Sequence, residues 1–494
     1  MEKFFWADQI ADQIIKEKGR KKEYVCASGI TPSGVIHIGN FREVITTDLV
    51  VKALENKGKK VRFIYSWDDF DRFRKVPANV PKKYEKYIGM PLSDIPSPFN
   101  KKESYAEHFE KKFEKELKKV NVYSKFIRQS VMNKQRKYAS LINIVLDKRK
   151  EIMKILNKYR KEPLAKDWYP IAIYCEKCNK DFTKILNVKG YEVSYECKCG
   201  HKNTIDYRKN GVVSVKWRVD WPMRWKYENV DFEPGGIDHS TPGGSFTTAK
   251  EISKEIFNFE PPIYQLYEWI RIKGGKEFAS STGNVLTIND VEEIYEPEVL
   301  RYLFVGTRPN KGFQISFDND VIKIYEDYDA LEKKYYEKKA NNQEKRIYEL
   351  SRVKITKKKP ERTGFRNLIA HVQINKLNKL SKENRLRANK VKNWLEKYAP
   401  KEYKFEVQSK IKIKLNKKEK LALKELKKSL KKKLTDKGLF DEFYRISEDV
   451  GISNKNFFKI CYRIIINKEK GPRLNALILG IGKDKVIKLL NQIK

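Results

Sequence analysis

The hydrophobic pattern first becomes informative at residue 23. A strand-like run, Glu23-Tyr-Val-Cys-Ala-Ser28, is followed by the small-residue turn Ile30-Thr31-Pro32-Ser33-Gly34-Val35-Ile36-His37-Ile38-Gly39-Asn40. From Phe41 to Asn56 the chain reads as a helix, and after Gly58 a second apolar run begins, Val61-Arg-Phe-Ile-Tyr-Ser-Trp67. Strand, Gly-containing turn, helix, Gly stop and strand predict a βαβ unit in a parallel sheet. Its first turn sets backbone N–H groups and a helix N-terminus at the carboxyl edge of that sheet, where an anion is favoured.

Further along, Tyr105 to Lys119 and Gln129 to Tyr159 have helical composition, the second with Leu141, Val145, Ile152 and Leu156 at helix-like intervals. These stretches read as an insertion between two halves of a sheet domain. Residues 212–225 read as β-rich and lead into Glu233-Pro-Gly-Gly-Ile-Asp-His239, then a helix from Phe246 to Phe257. That is a second strand–loop–helix cup, as a doubly wound α/β fold requires. Ile263 to Ile272 is one more apolar run. Beyond about residue 320 the pattern turns helical and basic: Ile322 to Lys339 and Leu421 to Leu434 are charged, Phe457 to Ile466 and Val486 to Ile493 more apolar. Lys410 to Leu415 alternates strictly and predicts a short edge strand with lysines outward.

Charge changes the picture in one respect. The net charge is +41, and residues 331–494 hold 47 Lys/Arg against 18 Asp/Glu, whereas residues 1–330 hold 59 against 47. A basic C-terminal third on a milder body predicts a polyanionic partner, most simply nucleic acid. No run of 18 apolar residues exists, so no membrane span is expected, and Asp8 and Asp12 interrupt the N-terminal apolar pattern that a signal peptide would need. A cytoplasmic location is the expectation.

Four of the six cysteines cluster as Cys175-x-x-Cys178 and, after 18 residues, Cys197-x-Cys199, with Gly200 and His201 following. Two knuckles that each turn two thiolates toward one point suit tetrahedral Zn2+ in a structural role, in a ribbon spanning residues 174–206. His201 is a substitute ligand on spacing. Cys26 and Cys461 stand apart in apolar runs and are expected to be buried.

Three further sets of residues carry candidate chemistry. His37, Thr31 and Ser33 can donate to phosphate oxygens at the first turn. Asp68, Asp69 and Asp71 follow the second strand, where either a ligand or a helix N-cap calls for carboxylates. Lys273-Gly-Gly-Lys-Glu-Phe-Ala-Ser-Ser-Thr-Gly-Asn284 has the N–H groups, hydroxyls and ammonium groups of a phosphate clamp.

The run His37-Ile38-Gly39-Asn40 resembles the His-Ile-Gly-His signature of class I aminoacyl-tRNA synthetases. With Trp6-Ala7-Asp8, the Gly29–Asn40 turn, Tyr65 to Pro77, the cysteine knuckles, Trp217-Arg-Val-Asp-Trp-Pro222, Gly235-Gly-Ile-Asp-His239 and Arg308-Pro-Asn-Lys-Gly312, nearly the whole chain resembles the archaeal-type class I lysyl-tRNA synthetases. The resemblance implies a Rossmann-type catalytic domain over residues 1–320, with its helical and zinc-ribbon insertion at about 78–211. An all-α region for anticodon and tRNA binding would cover residues 321–494. It implies ATP-dependent activation of L-lysine to lysyl-adenylate and transfer to tRNA(Lys), with Mg2+ accompanying the nucleotide; the sequence leaves the oligomeric state open, a monomer being the favoured expectation.

By the same resemblance His37, Asn40, Lys276, Ser280 and Ser281 act in catalysis. Thr31, Ser33, His37, Gly39, Gly235, Asp238, His239, Ser280, Ser281 and Gly283 hold ATP. Gly29, Trp217, His239 and Tyr267 border the amino acid, and Asp68 and Asp69, with Glu268 behind them, are the carboxylates expected for its ammonium. The family's Lys-Met-Ser-x-Ser signature is here Glu277-Phe-Ala-Ser-Ser281: Glu277 stands where lysine is usual, Thr282 replaces a following lysine, and Lys276 or Lys273 must supply the cation. Ile237 likewise replaces a lysine of the Gly-x-Asp-His motif. These departures leave two other readings: an impaired relative that binds tRNA, and a zinc-ribbon RNA-binding protein with a Rossmann scaffold.

Overall fold

The computed structural model describes residues 5–274, 285–374, 380–411 and 413–493. They fall into two compact units. The first comprises 1–292, 297–315 and 340–355; the second comprises 293–296, 316–339 and 356–494.

The first unit is built on a parallel sheet. After helix α1 (Trp6–Lys18) come β1 (Tyr24–Ile30), α2 (Ile38–Asn56) and β2 (Val61–Trp67), and then α3 (Tyr105–Lys119) leads to β3 (Lys125–Arg128). β1 and β2 pair in register from Tyr24↔Val61 to Ile30↔Trp67. Both strands are mostly buried, as expected for a sheet covered on both faces. α2 supplies one cover through Val44, Ile45, Leu49 and Val50, all essentially inaccessible. β3 is only four residues, Lys-Phe-Ile-Arg, and its charged ends hid it in the hydrophobic pattern.

A small antiparallel excursion follows. β4 (Ile171–Ile173) pairs with β8 (Val213–Val215), and β5 (Thr183–Lys189), β6 (Glu192–Cys197) and β7 (Lys202–Asp206) form the ribbon that carries the cysteines. The chain then returns to the main sheet through β9 (Phe232–Gly236) and β10 (Ile263–Tyr267), joined by the Ser245–Glu255 helix. The resulting order, β3-β2-β1-β9-β10, is that of a doubly wound fold, with its reversal point between β1 and β9. β11 (Ile270–Ile272) and β12 (Phe313–Ile315) pair separately.

The stretch read as β-rich is strand for three residues only. Trp217–Glu228 is a helix, with Pro222 inside it. Trp217, Trp221 and Trp225 recur every fourth residue; Trp217 stacks on Trp221 at 5.2 Å and Trp225 is tilted against Trp221 at 4.9 Å, so the aromatic stripe along one helix face outweighs the local cost of the proline. Residues Gln129 to Tyr159 likewise break into three short helices rather than one: Gln129–Lys134, Ala139–Asp147 and Arg149–Asn157.

The second unit has no strand among its described residues. Helices Lys417–Leu430, Asp436–Val450, Asn454–Ile466, Leu474–Ile481 and Lys483–Leu490 enclose a core of Leu423, Leu426, Phe443, Ile464, Leu477 and Ile478. Ile411, Ile413 and Leu415, from the segment expected to be an edge strand, pack on that core without forming one. A buried guanidinium, Arg387, holds Glu296 at 2.8 Å and Asp329 at 2.8 Å and lies over the Tyr325 ring.

Candidate active site

The carboxyl ends of β1 and β9 flank the reversal point, where an open α/β sheet binds its ligands. β1 and β9 pair at Cys26↔Phe232, and the Asp231 carboxylate braces that pairing by accepting the Val25 N–H at 2.9 Å. Gly29 closes against β2: a Cβ there would stand 2.7 Å from the Ser66 carbonyl oxygen, so the β1–β2 crossing needs glycine. Gly235 is as constrained, since a Cβ would meet the Tyr264 hydroxyl at 2.1 Å.

One carboxylate gathers this edge of the sheet. Glu43, on the second turn of α2, accepts the Gly29 N–H at 2.9 Å and the Ser28 hydroxyl at 2.8 Å on one oxygen. Its other oxygen accepts the Tyr267 hydroxyl at 2.8 Å. Burial pushes the Glu43 carboxyl upward, and the three donors work against that shift. Sequence reasoning missed Glu43, although its spacing of three from Asn40 puts both on one face at the start of α2.

Beside it, Trp217 and Trp221 stack 5.2 Å apart, with the His239 ring 6.1 and 6.0 Å from them. Gly236 brings the backbone close to the Tyr267 ring, and the Asp238 carboxylate lies 3.8 Å from His239 Nε2. Gly29, Trp217, His239 and Tyr267 are thus brought together. A narrow cavity of ≈ 50 Å³ continues inward from Gly29 and Trp217, past Ser66 and Asp68, to Arg224 and Glu233.

The walls of that cavity are strongly coupled. Arg224 Nη1 reaches Asp68 at 2.5 Å, and Arg224 Nε lies 2.9 Å from Asp220. Burial pushes Asp220 up to about 7 against the pull of Arg224, and Glu233, which accepts the Trp225 indole N–H at 2.5 Å, is raised by burial to about 7 as well. Asp69 faces elsewhere: it accepts the Ser130 N–H at 2.7 Å and the Ser130 hydroxyl, and so pins the chain leaving β3. Asp71 accepts the Thr31 hydroxyl at 2.8 Å, with burial holding its carboxyl near about 6.

At the first turn, α2 begins at Ile38. Asn40 Oδ1 accepts the His37 N–H at 3.1 Å, which fixes the entry to the helix. Burial lowers the His37 imidazole below its ordinary range. Ser33 and Asp238 are exposed, and Gly39 is half-buried. Lys276, Glu277, Ser280, Ser281, Thr282 and Gly283 lie outside the described residues. Their flanks are fixed: Lys273 N–H bonds the Ile315 carbonyl at 3.0 Å, and Leu286 O accepts the Ile38 N–H at 2.7 Å. The segment after the Ser-rich run is therefore tied directly to the α2 N-terminus.

In the ribbon, the sulfurs of Cys175, Cys178, Cys197 and Cys199 all lie within 4.8 Å of one another, with Cys175–Cys199 at 3.7 Å and Cys178–Cys197 at 3.6 Å. A tetrahedral zinc–thiolate site with Zn–S bonds of about 2.3 Å puts its sulfurs about 3.8 Å apart, so the group fits such an ion. The His201 backbone N–H holds the Cys199 thiol down near about 7, while its ring packs against Tyr195. The four cysteines, without that imidazole, form the donor set.

Comparison with known proteins agrees with this geometry. A family model described as class I tRNA synthetases (K) matches residues 4–354. A lysine–tRNA ligase of Borreliella burgdorferi is 45% identical, over 99% of both chains. Those of Pyrococcus horikoshii and Treponema pallidum are each 40% identical over 98% of this chain, covering 99% and 98% of the relatives. Among solved structures, a glutamate tRNA ligase from Elizabethkingia meningosepticum aligns at a TM-score of 0.50 and 13% identity, covering 95% of this chain and 99% of that one, a likeness of fold. With the doubly wound sheet, the site at its reversal point and full-length relatives on either side of the bacterial–archaeal divide, the chain belongs to the class I lysyl-tRNA synthetases.

Proposed function

We propose that the chain activates L-lysine with ATP to lysyl-adenylate, releasing pyrophosphate, and then transfers the lysyl group to a terminal ribose hydroxyl of tRNA(Lys). Full-length similarity to lysine–tRNA ligases supports the lysine assignment, and the observation that gives the substrate a place is the convergence of the Gly29 N–H, Ser28 hydroxyl and Tyr267 hydroxyl on Glu43. A carboxylate offers about four acceptor positions. Three are filled, which leaves the fourth for an ammonium group of the substrate, among Gly29, Trp217, His239 and Tyr267. Asp68 and Asp69 are engaged with Arg224 and Ser130, so Glu43 replaces them in this reading as the residue that meets lysine.

No covalent enzyme intermediate is required. The protein's task is to hold the lysine carboxylate in line with the α-phosphate and to stabilise charge on the transferring group. The α2 N-terminus with His37, Gly39 and Asn40 serves the triphosphate, with Thr31 and Ser33 beside it. Gly235, Asp238 and His239 serve the adenosine. On sequence grounds Ser280, Ser281 and Gly283 cover the phosphates and Lys276 supplies the displaced cation, with Mg2+ arriving on the nucleotide. Residues 1–320 would form the catalytic domain and 321–494 the region that meets the anticodon arm, whose lysine-rich helices suit a polyanion. Cys175, Cys178, Cys197 and Cys199 would hold Zn2+, whose four closed positions give it a structural role.

The test is charging: purified protein, ATP, tRNA and each amino acid in turn, with aminoacyl-tRNA measured. Lysine alone should be transferred. Intact tRNA binding without any charging would overturn this reading in favour of a non-catalytic relative, which the full-length similarity to ligases does not support.

A further inference from the structure

The Arg308-Pro-Asn-Lys-Gly312 motif has no part in the site above, yet its backbone is held unusually firmly. The buried Arg42 guanidinium, from α2, donates to the carbonyls of Arg308 at 2.8 Å, Pro309 at 3.2 Å and Lys311 at 3.2 Å. Its other face lies over the Phe313 ring, 5.2 Å from the centroid. Pro309 O also accepts the Glu268 N–H at 2.8 Å. Turning three carbonyls inward onto one cation leaves the loop's side chains outside: Pro309 is buried, but Arg308, Asn310 and Lys311 are exposed. Neither Arg308 nor Lys311 makes an ion pair among the described residues.

Against this loop stands an indole. Trp269 is 51% exposed, the most accessible tryptophan among the exposed large hydrophobic side chains. Its carbonyl oxygen lies 3.0 Å from where a Gly312 Cβ would be, so a side chain at 312 would push the loop away from it. Trp269 follows Tyr267, the residue bonded to Glu43, by two positions, which limits their Cα separation to about 7 Å. A single exposed tryptophan needs no explanation by itself. Here it sits on a fixed backbone, beside two exposed cations, at the edge of the site where an acceptor end must arrive.

We infer that Trp269, Arg308 and Lys311 form a docking platform for the single-stranded 3′ end of the tRNA, with the indole stacking on a base and the two cations facing the backbone phosphates. This rests on the tRNA-charging reading above. Stacking on an aromatic side chain is tolerant of base identity and contributes on the order of 1–3 kcal/mol per base. Exposed cations add a salt-dependent share. The strained alternative, that Trp269 helps to hold lysine or ATP, predicts a different kinetic signature.

The experiment compares wild type, Trp269→Ala, Trp269→Phe and the double variant Arg308→Gln/Lys311→Gln. It measures binding to tRNA(Lys) with and without its unpaired 3′ nucleotides, and KM for tRNA, lysine and ATP. Trp269→Ala should weaken binding of intact tRNA about tenfold, leave binding of the truncated tRNA unchanged, and raise KM for tRNA alone. Trp269→Phe should recover most of the loss, and the double variant should flatten the salt dependence of binding to intact tRNA. Equal weakening for both tRNAs, no weakening for either, or a shift confined to KM for lysine or ATP would overturn the platform. If wild type charges no tRNA, the failure belongs to the proposed function rather than to the platform.

Discussion

The Tyr267 hydroxyl donates to Glu43 Oε2 at 2.8 Å, joining the last residue of β10 to the second turn of α2 across the carboxyl edge of the sheet. The two residues are 224 positions apart, and their pairing draws together the two halves of the doubly wound fold at the carboxyl edge, where such sheets bind their ligands. Glu43→Gln keeps the shape but replaces an ionisable acceptor by an amide. Loss of a charge-assisted contact of this kind costs roughly 2 kcal/mol or more, so kcat/KM for lysine should fall at least about thirtyfold. Tyr267→Phe, which removes one donor and leaves the carboxylate, should cost less. The idea is sunk if Glu43→Gln leaves KM for lysine untouched while Asp68→Asn raises it.

The cysteine ribbon gives a metal prediction. Cys178→Ala removes one of four sulfurs that lie within 4.8 Å of one another and should lower bound zinc from about one ion per chain to a small fraction. Hydrogen exchange should then quicken first at β5, β6 and β7, because β6 carries Cys197 and Cys199 lies in the turn between β6 and β7. Elemental analysis of the purified protein is the direct check. Wild-type protein free of zinc yet fully protected across this ribbon would contradict the assignment.

Much of this architecture is legible in the sequence because its signals are local. The β1–α2–β2 unit appears in the change of hydrophobic period and the Gly58 stop, and the four-sulfur cluster in the spacing of four cysteines. What stayed hidden depends on tertiary context. β3 is four residues with charged ends, so nothing in its pattern announces a sheet edge. The Trp217–Glu228 helix was masked by aromatic and β-branched residues and Pro222, although the four-residue recurrence of tryptophan was the available clue. Asp68 and Asp69 are adjacent and chemically alike, yet one lines the cavity with Arg224 and the other caps the chain at Ser130, a division made entirely by where each side chain points.

A buried ion pair supplies a stability prediction inside the first unit. Arg301 is inaccessible, with Nη2 2.7 Å from Asp48 and further donors to the Leu350 and Val120 carbonyls. Arg301→Met would leave Asp48, itself 2% exposed, without its main partner, and Lys52 lies farther off at 3.6 Å. Removing one member of a buried pair costs roughly 3–5 kcal/mol. Denaturant unfolding should show that loss, and adding Asp48→Asn should restore part of it. A double variant no more stable than Arg301→Met would mean that the guanidinium matters through the carbonyls and not through the carboxylate.

Glu116 makes stability depend on pH in a direction that can be worked out. It is 1% exposed on α3 and accepts the Asn289 side-chain N–H at 2.6 Å. Burial pushes its carboxyl from 4.5 up to about 7. Between those values the folded protein keeps a proton that the unfolded chain has released, so stability falls as pH rises through this window and the loss is complete above about 7. Glu116→Gln makes the neutral form permanent. It should stabilise the protein at pH 8 by on the order of 2 kcal/mol, and leave it nearly unchanged at pH 4.5, where the wild-type carboxyl is already protonated. Melting curves of both proteins across that range decide the matter. A constant difference at every pH would assign the effect to packing and not to the buried proton.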